Sequence, residues 1–331
     1  MSSLLAPMLQ YFFTEHLVSH KQVSPRTIVT YRDSFRLLLQ FLKKRTGKKP
    51  ASLCIGDLDA PAILDFLESL EQQRANQVCS RNVRLTAIRS FFHVVTLRDP
   101  LSIAVASRVL AIPRKRTDKR LVGYLTREEI DAVLAAPDQS KWIGRRDYAL
   151  LLTMYNSGAR LSEMICMQRG QVKFDSTTSL HLHGKGRKER VVPLWAKTGR
   201  ILRSWFRELE IKATEVAFPS VRGTPLSSDG LNYILQQAVR RAAEVSCPSL
   251  LTKRVTPHLI RHTCAMHLLQ AGVDMAVIAL WLGHESIETT HIYVEADLTI
   301  KKRALERIAP ANSSARRFKA DDTLLAFLAS L

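Results

Sequence analysis

Four residues near the end of the chain have the types and spacing to work on a phosphodiester. They are His258, Arg261, His284 and Tyr293, in the stretch TPHLIRHTCAMHLLQAGVDMAVIALWLGHESIETTHIY from Thr256 to Tyr293. A phenol is an oxygen nucleophile, a guanidinium is a fixed cation for a phosphate oxygen, and imidazole carries protons near neutral pH. The elements that must position them are legible in the same stretch. Leu259, Ile260, Met266, Leu268 and Leu269 suit a helix, on which His258 and Arg261 share one face. Gly272 ends that helix. Met275 to Leu282 reads as a second apolar helix folded back on the first, and Gly283 leaves His284 just past its terminus. A helical core with satisfied histidines and an ordinary tyrosine would explain each residue singly. It does not explain their joint spacing.

The order H-x-x-R, then L-G-H, then a tyrosine nine residues after that histidine resembles the C-terminal motifs of the tyrosine recombinases, the phage-integrase family. Ser157-Gly-Ala-Arg160-Leu-Ser-Glu163 resembles the family's first arginine motif, with Ala159 where leucine is usual, a difference of packing. Gly184-Lys-Gly-Arg-Lys-Glu-Arg190 resembles the hairpin turn that carries the family's lysine; Lys185 takes that place and Lys188 competes with it. A P-loop reading of this turn fails, because Ser179 stands where glycine is required and Gly186 follows Lys185 where Ser or Thr is needed. The resemblance implies that Arg160, Lys185, His258, Arg261, His284 and Tyr293 are catalytic. Tyr293 would attack the phosphate, a 5′-hydroxyl would leave, and a 3′-phosphotyrosyl link would keep the bond energy without ATP, metal or other cofactor. Arg160 and Arg261 would hold the non-bridging oxygens and Lys185 would protonate the leaving oxygen. Free tyrosine ionises near a pKa of about 10, so a base is needed. His258 is the candidate base and His284 the candidate donor to a phosphoryl oxygen, but the sequence does not divide their labour. Glu163 supports its motif from within.

Composition agrees with a polyanionic partner. The 331 residues carry 49 Lys plus Arg against 30 Asp plus Glu, a formal charge of +19. Double-stranded DNA at a specific site is the expected partner. Cys54, Cys79, Cys166, Cys247 and Cys264 lie far apart, without metal or disulfide spacing, and read as reduced thiols in a cytoplasmic protein. His258 and His262 have ligand spacing on a helix, and His284-Glu285 opens like a metalloprotease motif. Residue 288 is Glu288, so that motif is not completed and no metal is expected. The first residues lack the pattern of a signal peptide and no run reaches membrane-span length.

The fold expectation is mainly α with a small β-hairpin or sheet: an N-terminal helical bundle and a C-terminal α+β catalytic domain. Residues 1–112 read as four helices, the first from Leu4 to His16, the others opened by Ser24-Pro25, Pro61 and Ser80. Arg81, Arg84 and Arg89 are expected on the surface of the fourth. The resemblance makes this bundle a core-binding domain. Residues 113–124 form a basic linker in which Arg114, Lys115 and Arg116 suit a strap across a DNA backbone. The catalytic domain spans 125–308. Thr126 to Glu129 is a capping box, Tyr148 to Tyr155 a buried helical face, and Ser179 to Val192 a hairpin whose Arg187, Lys188 and Arg190 hold backbone phosphates. Residues 309–331 read as a tether and a C-terminal helix with Leu324, Phe327, Leu328 and Leu331 in one stripe, docking on a neighbouring protomer of a synaptic dimer or tetramer.

Three functions stay open at this point. The first is a site-specific recombinase or integrase. The second is type IB topoisomerase-like nicking and rejoining, and the third a non-catalytic DNA-binding protein of the same fold.

Overall fold

The computed structural model describes residues 3–117, 123–184, 189–209 and 215–283. The chain divides into two compact units, Met1–Lys119 and Arg120–Leu331.

The regular elements of the first unit are helices among its described residues, with one isolated bridge between Leu4 and Cys54. Helix α1, Leu5–Tyr11, runs on through a wide π-helical stretch, Phe12–His20. Helix α2 spans Pro25–Thr46, with the Ser24 hydroxyl accepting from the Thr27 N–H and Pro25 supplying a preset φ. Helices α3, Ala60–Arg74, and α4, Val78–Arg98, follow. A short α5, Ile103–Leu110, was not expected from the sequence. Its Ala106 and Val109 close the core that Phe12, Phe35, Phe66, Phe91 and Phe92 fill. Phe12, Phe35 and Phe91 meet edge-on at 5.3 to 6.0 Å between ring centres, the geometry that aromatic quadrupoles favour.

One expectation for this unit is corrected. Arg81 is buried, beside Glu71 at 3.8 Å and donating to Asn82, while Arg84 and Arg89 are half-buried. The apolar face formed by Leu85, Ile88 and Phe92 is wider than the sequence spacing suggested and takes Arg81 in with it.

The second unit is built on α7, Trp142–Ser157, in which every residue from Tyr148 to Ser157 is buried. Helix α6, Arg127–Ala135, precedes it, opened by the reciprocal Thr126–Glu129 capping box. Helix α8, Leu161–Ile165, follows a left-handed turn at Gly158. Three antiparallel strands come next: β1 Val172–Phe174, β2 Thr178–His183 and β3 Glu189–Pro193, in the order β1-β2-β3. Leu180 pairs Val172 on one side and Val192 on the other, and all three are buried. The expected hairpin is β2–β3; β1 is too short to announce itself by alternation. Helices α9, Ala196–Leu209, and α10, Ser228–Val245, complete the body. Helix α11, Pro257–Gln270, and α12, Met275–Leu282, pack together as the apolar spacing predicts. Gly272 and Gly283, at φ +87 and +64, turn the chain after each.

Candidate active site

The site is assembled where the end of α7, the start of α11, strand β3 and the end of α12 meet. Gly158 makes the approach possible. Its φ is +60, and a Cβ there would lie 2.6 Å from Leu282 Cδ2 and 3.4 Å from Cys264 Sγ. Arg160, just past that turn, caps α8. Its backbone N–H donates to Glu163 Oε2 at 2.7 Å and its Nη1 to Oε1 at 3.0 Å.

Three guanidiniums converge on the last turn of α12. Arg190 Nε donates to the Trp281 carbonyl at 2.9 Å, Arg261 Nη2 to the Leu282 carbonyl at 2.6 Å, and Arg160 Nη2 to the Gly283 carbonyl at 3.0 Å. The final carbonyls of a helix have no intrahelical donor and carry the negative end of its dipole. Three cations on three consecutive carbonyls therefore satisfy those acceptors and hold the Gly283 turn at the end of α12. Arg261 also donates from Nη1 to the Gly158 carbonyl at 2.6 Å, tying α11 to the turn that carries Arg160.

Glu163 is the anionic hub. Its carboxylate takes both Nη groups of Arg190 at 2.8 Å as well as Arg160. Burial alone would raise its pKa, but the hydrogen bonds from Arg190 and from the Arg160 backbone, with both positive charges, bring it below the usual carboxylate value. His258 shows an exposed edge, while the surrounding protein strips enough water from the ring to lower its pKa, and Arg261 and Arg160 add to the fall. The ring is thus held neutral, the state in which imidazole accepts a proton. His262 packs edge-on against it with ring centres 4.3 Å apart.

Of the expected catalytic residues, Arg160, His258 and Arg261 are brought together here. Lys185, His284 and Tyr293 lie outside the described residues, as do Arg187, Lys188 and the tail 309–331. Arg190, expected to hold a backbone phosphate, is engaged by Glu163 and the Trp281 carbonyl, with the side chain 8% exposed. The signal was in the strand. Arg190 and Val192 share one face of β3, and Val192 is buried, so Arg190 had to point inward.

In the first unit, Arg114 and Arg116 are exposed, but Lys115 is tethered. The Asn82 amide pairs with both its N–H, at 3.1 Å, and its carbonyl, at 2.8 Å, and its ammonium meets Glu71 at 2.6 Å. Among the described residues no group of three or more His, Cys, Asp or Glu side chains could hold a metal, and no helix is long and apolar enough to cross a membrane.

With this geometry in view, the likenesses to known proteins decide the family. Residues 123–299 match the model of the phage integrase family, and residues 12–99 match its N-terminal SAM-like domain. The chain belongs to the phage integrase family. The putative integrase/recombinase y4rC of Sinorhizobium fredii is 50% identical over 327 residues, covering 99% of this chain and 98% of that one. Tyrosine recombinase XerC of Chlamydia trachomatis serovar L2 is 31% identical over 322 residues, covering 91% and 98%. A lambda integrase dimer bound to a COC′ core site shares the fold with a TM-score of 0.63 at 17% identity, over 89% of this chain and 95% of that one. Membership makes the chain a tyrosine site-specific recombinase, an enzyme of mainly helical fold with a small antiparallel sheet.

Proposed function

We propose that this recombinase cuts and rejoins double-stranded DNA at a specific site through a 3′-phosphotyrosyl link to Tyr293. The observation that carries the reading is the placement of Arg160 and Arg261 on the carbonyl end of α12, with His258 beside them. Fixed cations on rigid elements can hold the two non-bridging oxygens of a phosphate as negative charge grows there. They do electrostatically what a metal ion does in other phosphoryl transfers. His258, held neutral, takes the Tyr293 proton, and Lys185 gives one to the departing 5′-oxygen. His284 donates to a phosphoryl oxygen. The formal charge of +19 and the exposed Arg114 and Arg116 supply the long-range attraction to DNA. Strand exchange between two duplexes needs more than one tyrosine, so protomers must associate; a lambda integrase dimer on its core site is the precedent among the relatives. A cytoplasmic location goes with this reading.

Topoisomerase-like relaxation is the reading to separate. Two differently marked duplexes bearing the site should yield joined products containing both marks. Relaxation of supercoils with no intermolecular joining, under conditions of tight site binding, would remove the recombinase assignment.

A further inference from the structure

We infer that Arg190 is a positioning residue, which saturates Glu163 so that Arg160 meets the substrate with its charge uncancelled. The inference rests on the recombinase reading above.

The asymmetry of the two pairs carries it. Arg190 holds both carboxylate oxygens of Glu163, each at 2.8 Å, and a third bond from its Nε goes to the Trp281 carbonyl. Arg160 holds the same carboxylate with one side-chain bond, at 3.0 Å, and stays 34% exposed. Glu163 is 3% exposed, in surroundings where a charge attracts strongly. A bidentate arginine–carboxylate pair outcompetes a single bond. Remove Arg190, and the cation nearest the buried carboxylate is Arg160, which would turn inward to take both oxygens. The positive charge meant for the phosphate would then be neutralised inside the protein. Gly283 is shaped to the same purpose. A Cβ there would press on Arg190 Cδ at 3.1 Å, so the turn before His284 closes directly over the arginine. No proton moves and no bond forms at Arg190; it acts only through Arg160 and the end of α12.

A phosphate-binding arginine would behave differently, which makes the test sharp. Wild type, Arg190→Met, Glu163→Gln and the double variant would be compared in single-turnover cleavage of nicked site DNA, in the salt dependence of site binding, and in unfolding midpoint. Arg190→Met should cut at least roughly tenfold more slowly, a coupling in the range seen for residues of one charge network. Its log–log salt slope should match wild type. The double variant, with no buried carboxylate to trap Arg160, should recover most of the lost rate. A slope reduced by about 0.9 would instead count one phosphate contact and overturn the inference. So would a double variant that folds but cuts no faster than Arg190→Met. Should Arg190→Met fail to fold, the double variant must fold and cut within roughly tenfold of wild type, and a slower one overturns the inference. The midpoints need no DNA: the double variant must unfold above Arg190→Met, and the reverse order overturns the Glu163 pairing whatever the activity. An inactive wild type with the expected order of midpoints would sink the recombinase reading alone.

Discussion

At the junction of α6, α7 and α11 a tyrosine, a histidine and an arginine meet; at the end of α12 three arginines and a histidine do. In the first place Arg127 donates to the Tyr155 hydroxyl at 2.7 Å, so the hydroxyl proton is turned toward His267 Nδ1, also at 2.7 Å. His267 is bonded onward to the Leu125 backbone. Tyr155 and His267 are buried against each other while Arg127 keeps an exposed face, and burial pushes the Tyr155 phenol up to about 12. In the second place Arg160 is 34% exposed and His258 is exposed, so both keep edges toward solvent. The same residue types make a closed strut in one place and an open receptor in the other. What separates them is the exposure of the imidazole, since His267 is buried and His258 is exposed, not which residues gather.

The comparison breaks most easily at Arg160. Arg160→Ala should slow single-turnover cleavage by roughly 100- to 1,000-fold, the range for losing a donor to developing charge. Tyr155→Phe should leave cleavage within about threefold, since the ring still packs and its hydroxyl touches no substrate. Accumulation of covalent adduct on nicked DNA measures both, and the opposite ranking would exchange the roles of the two places.

Stability should reverse the order for the strut. Tyr155→Phe strands His267 Nδ1 and an Arg127 donor and should cost about 1–3 kcal/mol, read from denaturant midpoints. A Tyr155→Phe chain as stable as wild type would mean that the relay carries no weight.

Acid should act on the two places in different observables. Burial, with Arg127, lowers the His267 pKa below 6.5. Between that lowered value and 6.5 the unfolded chain binds the proton that the folded chain refuses. The stabilisation from neutral His267 is therefore complete above pH 6.5 and is lost as pH falls through the folded value. Melting followed from pH 7 downward should show this fall, and His267→Gln should flatten it. An unchanged pH profile in that variant would contradict the assignment. His258, lowered by loss of water and by Arg261 and Arg160, should instead mark the rate. As the base, it should keep cleavage active into mildly acidic solution, with the acid limb below pH 6.5; a limb above 6.5 would contradict a lowered imidazole.

Much of the local structure around the site was legible in the sequence. Gly272 and Gly283 turn the chain after α11 and α12 as expected, and the spacing of His258 and Arg261 put both on one helix face. Each of these is a contact between near neighbours in the chain. The hub around Glu163 was not legible, because it joins side chains far apart in the chain to backbone carbonyls, which carry no sequence signature. The pairing of Arg190 with Glu163 was missed for a related reason: the charge-rich turn Gly184–Arg190 suggested a surface, while the alternation shared with Val192 pointed inward. Arg81 was misread in the same way, as a surface cation that the core takes in. Helix α5, with eight residues, is too short to be carried by propensity and forms because Ala106 and Val109 complete the core.

The most direct measurement asks which tyrosine bonds to DNA. Nicked site DNA would be incubated with wild type, Tyr293→Phe and Tyr155→Phe, the adduct digested, and the DNA-linked peptide identified by mass. The account predicts adduct in wild type and in Tyr155→Phe, its peptide containing Tyr293, and none in Tyr293→Phe despite unchanged site binding. Adduct retained in Tyr293→Phe, on a peptide containing Tyr155 or any other residue, would contradict it.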